Sequence, residues 1–252
     1  MREGPKARWV GQVALALLLL TSAAPGTAVQ VAARTEPAHY AGWAVEAYPE
    51  LTAPEMEAMV RRMADAGANV VWIGHNNPGE AKAGKVEPGL SYAVYEAYRD
   101  PGDPRYRAAV AVIQAQHRML EACRAAGLKA VLPVGYQIQM GEVWNAAHPA
   151  ALRQDAQGRP LDIYGGGISA SFYSPAYRRD IEGYYRWVEA EFVQPYSDVL
   201  LMLNLADEPI GGDYSIHADA EFRRRYGFGF EEVGQDPVRE KLLGAFQSRY
   251  VV

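Results

Sequence analysis

Short, nearly unbroken apolar runs alternate along this chain with longer stretches whose apolar residues recur every three or four positions. Four runs read as strands: Gly42 to Tyr48, Asn69 to Ile73, Leu128 to Val134 and Val199 to Leu203. Runs of this kind suit strands buried on both faces, as in a parallel sheet wrapped by helices. The stretches between them carry helix signals. Thr52-Ala53-Pro54-Glu55 supplies a threonine cap, an early proline and a capping-box glutamate, and Met56, Met59, Val60, Met63 and Ala64 follow at helical spacing up to Gly67. A second helix starts at Asp103-Pro104, with a stripe of Tyr106, Val110, Ile113, His117 and Leu120 closed by Gly127. Ser174-Pro175 starts a third, with Tyr177, Ile181, Tyr184, Val188 and Phe192 on one face and Pro195 at its end. Two further helical segments, Asp219 to Tyr226 and Pro237 to Tyr250, follow the fourth strand. Strand, helix, strand in repeated order predicts an α/β fold with a parallel sheet and right-handed crossovers.

The connections that follow strands two and three, Gly79 to Asp103 and Met140 to Tyr173, are longer than a βα turn needs. Both leave the sheet at its carboxyl end, as does Asp207-Glu208-Pro209 after strand four. That rim is where (β/α) folds place their chemistry. A doubly wound sheet fits the alternation too, but its first turn usually carries a glycine-rich phosphate cradle, and Tyr48 to Thr52 contains no glycine. Nucleotide binding is therefore disfavoured, and a TIM-barrel (β/α)8 arrangement is expected.

Composition narrows the classes further. The chain has 252 residues, 49% of them hydrophobic, enough for one sizeable domain, and a net charge of −5 that suits no polyanion, so a nucleic-acid partner is not expected. Arg2, Lys6 and Arg8 precede an apolar run from Val13 to Leu20 and small residues through Ala33. This is a signal-peptide pattern over residues 1–33. It predicts a secreted or periplasmic, cell-envelope domain over 34–252 with no stable membrane insertion once the leader is cleaved. The single cysteine, Cys123, reads as a small buried apolar group. His117 falls on a helical core stripe and reads as a satisfied histidine. His75, His148 and His217 lack tight metal-ligand spacing, so neither metal nor other cofactor is expected. Nothing in the pattern assigns an oligomeric state.

Asn204-Leu205-Ala206-Asp207-Glu208-Pro209 resembles the strand-four ending of the retaining (β/α)8 glycoside hydrolase clan that includes β-galactosidases, cellulases and mannanases. In that clan the motif is Asn-Glu-Pro or a close variant, and its Glu is the general acid/base. The segments around His148-Pro149, Arg153-Gln154-Asp155, Gly158-Arg159-Pro160-Leu161 and Ser174-Pro175-Ala176-Tyr177-Arg178 are similar to the strand-three insertion of β-galactosidase-like members. The resemblance spans roughly Gly42 to Tyr250. It implies hydrolysis of O-glycosidic bonds in an oligo- or polysaccharide, with Glu208 as acid/base and Asp207 beside it. Asp207 departs from the clan's usual Asn. As candidate sugar contacts on the rim we single out Asn204, His75, Asn76, Gln137, Trp144 and Tyr173.

A retaining glycosidase needs two carboxyl groups about 5 to 5.5 Å apart, and in this clan the second comes from strand seven. Only four β/α units are legible in the chain, so the expected object is the amino-terminal half of a barrel, truncated after about four units and lacking the nucleophile. Two other readings stand beside this one. In substrate-assisted N-acetylhexosaminidases an Asp-Glu pair ends strand four and the Asp orients the substrate's acetamido group, which accounts for Asp207. A non-catalytic carbohydrate-binding protein would use the same aromatics without hydrolysis.

Overall fold

A computed structural model describes residues 39–74, 89–135, 139–161, 168–205 and 212–248. Its centre is a four-stranded sheet of β1 (Gly42–Val45), β2 (Val70–Ile73), β3 (Lys129–Pro133) and β4 (Leu200–Asn204), in the order β1-β2-β3-β4 and parallel throughout. Parallel neighbours that are consecutive in sequence require a crossover each, and helices supply them. Helix α1 (Ala53–Asp65) joins β1 to β2. α2 (Tyr92–Tyr98) and α3 (Tyr106–Ala126) lie between β2 and β3, and α4 (Glu142–Ala147) and α5 (Pro175–Val188) lie between β3 and β4. α6 (Ile216–Tyr226) and α7 (Pro237–Gln247) follow β4. The expected leader, residues 1–33, lies outside the described residues. No described helix is long and apolar enough to cross a membrane.

The local signals act as their chemistry dictates. The Glu55 carboxylate accepts from the Thr52 N–H at 2.8 Å and from its hydroxyl at 2.7 Å, which fastens the start of α1. Met56 and Val60 are buried, with Met59, Met63 and Ala64 packed beside them. In α5 the Ser174 hydroxyl accepts from the Tyr177 N–H. Tyr177, Ile181, Tyr184 and Val188 form its buried face, and Phe192 continues that face through a π-helical turn at Glu189–Val193.

α3 differs from its predicted stripe. Ile113 and Leu120 are buried as expected, but so are Ala109, Val112, Ala115, Gln116, Met119, Ala122 and Cys123, because α3 packs against α1 on one side and α2 on the other. Burial pushes the Cys123 thiol up to about 12. His117 sits half-buried at the edge of this face, its Nε2 2.9 Å from Glu191 Oε1 and its Nδ1 3.0 Å from the Tyr196 hydroxyl. Both ring nitrogens are thus satisfied.

Two expectations are corrected. The stretch around Tyr92, Tyr95 and Tyr98 reads as loop but forms α2, capped by the Ser91 hydroxyl accepting from the Val94 N–H at 3.2 Å. A seven-residue helix is marginal on propensity alone. Here burial of Tyr92 and Tyr95 against Tyr184, at ring separations of 6.2 and 5.6 Å, holds it. The second correction concerns β4, which is not buried on both faces: Met202 is 51% exposed, and Trp43 on β1 is 59% exposed. β1 and β4 are the two edges, and no described strand pairs with their outer sides. Ala44, Trp72, Val131 and Met202 align in register across the sheet, and none belongs to the main hydrophobic core on the helical side.

A smaller core joins α6 and α7. Ala218, Phe222, Val233 and Phe246 are its buried members, with Tyr173, Phe230 and Leu243 packed against them.

Candidate functional site

β4 delivers the chain to the carboxyl end of the sheet at Asn204, which pairs with Pro133 and is buried, its carbonyl accepting from the Val134 N–H at 2.9 Å. Asp207, Glu208, His75, Asn76 and Gln137 lie outside the described residues. The rim around Asn204 is nonetheless well defined. Val134 and Gly135 leave β3 beneath Leu90. Gly135 has φ +77, and a Cβ there would come within 2.7 Å of the Leu90 carbonyl oxygen, so only glycine fits without a shift. Gln139 follows at 7% exposure, and its Oε1 has no hydrogen-bond partner among the described residues. On the β1 side, Glu46 accepts from the Tyr48 hydroxyl and raises the pKa of that phenol.

The two described aromatic candidates are placed apart. Trp144, on α4, is 1% exposed. Its Nε1 donates to Asp180 Oδ2 at 2.8 Å, and its ring stacks on His148 at 4.6 Å. Burial would raise the Asp180 pKa, but hydrogen bonds from Arg179 and Trp144 outweigh it and hold the carboxyl below its usual value. Trp144 therefore packs the interior and offers no open stacking platform. The expectation fails because a tryptophan in a loop-like stretch gives no local sign of a partner 36 residues away. Tyr173 is half-buried, its ring stacked on Phe246 at 5.2 Å with the Arg178 guanidinium 6.0 Å from its centroid. It fastens the strand-three insertion to α7.

What the sequence reading left out is how the return from the Asp207-Glu208 stretch is anchored. Gly212, the first described residue after that stretch, has its carbonyl held by Arg153. This guanidinium is buried, and both its Nε, at 3.0 Å, and its Nη2 donate to the same oxygen. The Tyr214 N–H donates to the Gln154 carbonyl at 2.9 Å. The Asp213 N–H donates to Gln247 Oε1 at 2.6 Å, while Gln247 Nε2 returns a bond to the Asp213 carbonyl at 2.9 Å. Ser215 closes the group. Its N–H donates to Asp213 Oδ1 at 2.9 Å, its hydroxyl meets that of Ser171 at 3.2 Å, and it caps α6 through the Ala218 N–H. Both flanks of the candidate acid/base stretch, Asn204 and residues 212–215, are thus held by buried contacts. The available hint was Arg153 itself, a cation in one of the short motifs of the insertion, but its partner lies 59 residues on.

Among the described residues no three His, Cys, Asp or Glu side chains stand close enough to hold a metal ion. The rim can present hydrogen-bonding amides and backbone, a suitable surround for a polyhydroxyl ligand.

No family model and no curated protein matches the chain. Solved structures do. The fold is similar to that of the β-galactosidase from the psychrophilic Marinomonas ef1, with a TM-score of 0.51 at 16% identity, over 74% of this chain and 25% of that one. A pullulanase mutant from Paenibacillus barengoltzii complexed with maltotriose matches at TM-score 0.44 and 13% identity, over 74% of this chain and 33% of that one. A maltogenic α-amylase from Thermotoga neapolitana matches at 0.41 and 14%, over 66% and 39%. The chain spans about a quarter of the length of the β-galactosidase, and the likeness to that structure is one of fold.

Proposed function

We propose that this chain carries the acid/base half of a glycoside hydrolase of the retaining (β/α)8 type, with Glu208 as the proton donor. The observation that carries the reading is the position of β4. Its last residue, Asn204, closes a parallel strand at the carboxyl end of the sheet, and Glu208 follows four residues later, at the end where such folds do their chemistry. The likeness in fold to a β-galactosidase supports the same class. In this mechanism Glu208 protonates the departing glycosidic oxygen while a second carboxylate attacks the anomeric carbon, and Glu208 then deprotonates the water that releases the sugar. We assign the second carboxylate to a strand beyond β4, so the chain alone is expected not to turn over glycosides. Export through the leader is part of the same proposal.

The test supplies an external nucleophile. With sodium azide and an aryl glycoside of poor leaving group, azide attacks the anomeric carbon, the C–O bond breaks, and the Glu208 proton goes to the phenoxide oxygen. Glycosyl azide formation that Glu208→Gln abolishes is the expected result. No glycosyl azide from any of the gluco-, galacto- and mannosides would refute the acid/base role. Turnover of plain glycosides without azide would show that the chain holds its own nucleophile. Asp207 favours a second reading, the substrate-assisted hexosaminidase, in which azide is unnecessary and N-acetylated glycosides are cleaved in preference to plain ones.

A further inference from the structure

Beside the anchored segment 212–215 lies a cavity of about 560 Å³, lined by Asp155, Tyr214, Ile216, Asp219, Phe230, Glu231 and Leu243 among others. We propose that it binds neutral saccharide units, as an outlying part of the substrate groove. The proposal rests on the glycosidase reading for its purpose, but on its own geometry for its chemistry.

The walls are apolar where a sugar's C–H faces would lie. Tyr214 is 37% exposed and Ile216 is 66% exposed, and Phe230 and Leu243, which pack on the smaller core, line the same cavity. Tyr214 meets Phe230 edge-on at 5.6 Å. Its backbone is fixed by the Gln154 carbonyl and, two residues earlier, by Arg153, so the ring stands on a rigid base. A pre-set aromatic lowers the ordering cost of binding.

Three carboxylates face the same space, and each is already committed. Asp155 Oδ1 accepts the N–H groups of Gln157 and Arg159, and its Oδ2 accepts from the Arg159 guanidinium at 2.7 Å. Asp219 Oδ1 accepts the Phe230 N–H at 2.6 Å, and Glu231 is paired with Arg223. These bonds orient the carboxylates and offset their charge, and an ionised carboxyl has about four lone-pair sites, which leaves acceptors for hydroxyl groups. Among the described residues no lysine or arginine lines the cavity, so phosphate and other anions are disfavoured. Apolar walls with a few oriented acceptors, within the usual volume for ligand sites, suit a neutral polyol.

The chain itself limits how far this cavity stands from the chemistry. Tyr214 follows Glu208 by six residues, and at roughly 3.3 to 3.6 Å per residue their Cα atoms are at most about 22 Å apart. The cavity is therefore within reach of a short oligosaccharide seated at Glu208.

Calorimetry on the full chain tests this, with maltotriose, cellotriose and β-1,4-galactotriose as probes. One of the three is expected to bind, with Tyr214→Ala weakening it at least tenfold. Ile216→Glu, at a position already two-thirds exposed, is expected to weaken it with an unchanged unfolding temperature. Absence of binding by all three, or binding that neither variant alters, overturns the proposal. The two readings fail separately: glycosyl azide formation without trisaccharide binding refutes only this cavity, and cavity binding without any Glu208-dependent chemistry refutes only the hydrolase.

Discussion

Replacing Arg153 with methionine keeps most of the side chain's length and removes the group that holds the Gly212 carbonyl. The guanidinium is buried and gives two hydrogen bonds to that one oxygen. A hydrogen bond from a charged donor contributes about 1.5 to 3 kcal/mol, and a cavity term is small because methionine fills a similar volume. Loss of that amount loosens residues 212–215 relative to the insertion. Since 1.4 kcal/mol is a factor of ten, amide exchange across 212–215 is expected to accelerate by roughly ten- to a hundredfold when measured by mass spectrometry. If the segment belongs to the global cooperative unit, the midpoint of thermal unfolding falls by roughly 3 to 10 °C for a domain of this size. Arg153→Lys retains the charge without the fork and is expected to fall between the two. Unchanged exchange at 212–215 in Arg153→Met would refute the anchoring role, whatever happened to the melting point. On the proposed acid/base role of Glu208, a sharp fall in azide-dependent chemistry is also expected, since the far flank of its stretch is released.

Phe246→Ala empties the centre of the smaller core, where the ring meets Phe222 and Tyr173 at 5.2 Å each, and is expected to cost about 3 to 5 kcal/mol, read as early exchange of α6 and α7 ahead of the sheet. Gly135→Ala forces a Cβ against the Leu90 carbonyl at a left-handed backbone position, and is expected to lower the unfolding midpoint by at least several degrees. Hydrogen bonds from Arg224, then Arg225, lower the Glu221 pKa to about 2. Because the folded value lies below the unfolded one, this stabilisation is complete above about pH 4.5 and is lost as pH falls towards 2. Both arginines are partly or largely exposed, so the effect is held to about 1 kcal/mol or less, and Glu221→Gln should flatten the acid limb of a stability-against-pH curve most visibly at low salt.

The features legible in the sequence are those whose causes lie within one turn or one strand. The Thr52-Glu55 box and the Ser174-Pro175 start act over three residues, and the buried face of α5 follows from spacing alone because that helix has a single packed side. α2 was not legible, since its helical state depends on tyrosines finding Tyr184 some ninety residues later. The buried face of α3 is wider than its periodicity indicates because two helices flank it, and periodicity reports one partner at a time. The candidate site divides in the same way. Asp207-Glu208 is a candidate from its place after an apolar run and lies outside the described residues, whereas Trp144 is a candidate by residue type and is fixed in the interior by Asp180.

The exposure of β4 follows from the same division and bears on the proposed function. An apolar run states that a strand is meant to be covered, not what covers it. In Met202 and Trp43 the two edge strands present large side chains to solvent, with neither charge nor proline along either strand to discourage pairing. An eight-stranded barrel removes such edges by closure and fills its interior with rows of the kind that Ala44, Trp72, Val131 and Met202 form here. The row and the edges thus show where apolar surface in this sheet stands open among the described residues. Met202→Lys separates this surface from the proposed chemistry, since a side chain already half exposed tolerates the charge in the isolated chain, while an azide-rescued reaction that depends only on Glu208 would proceed unchanged.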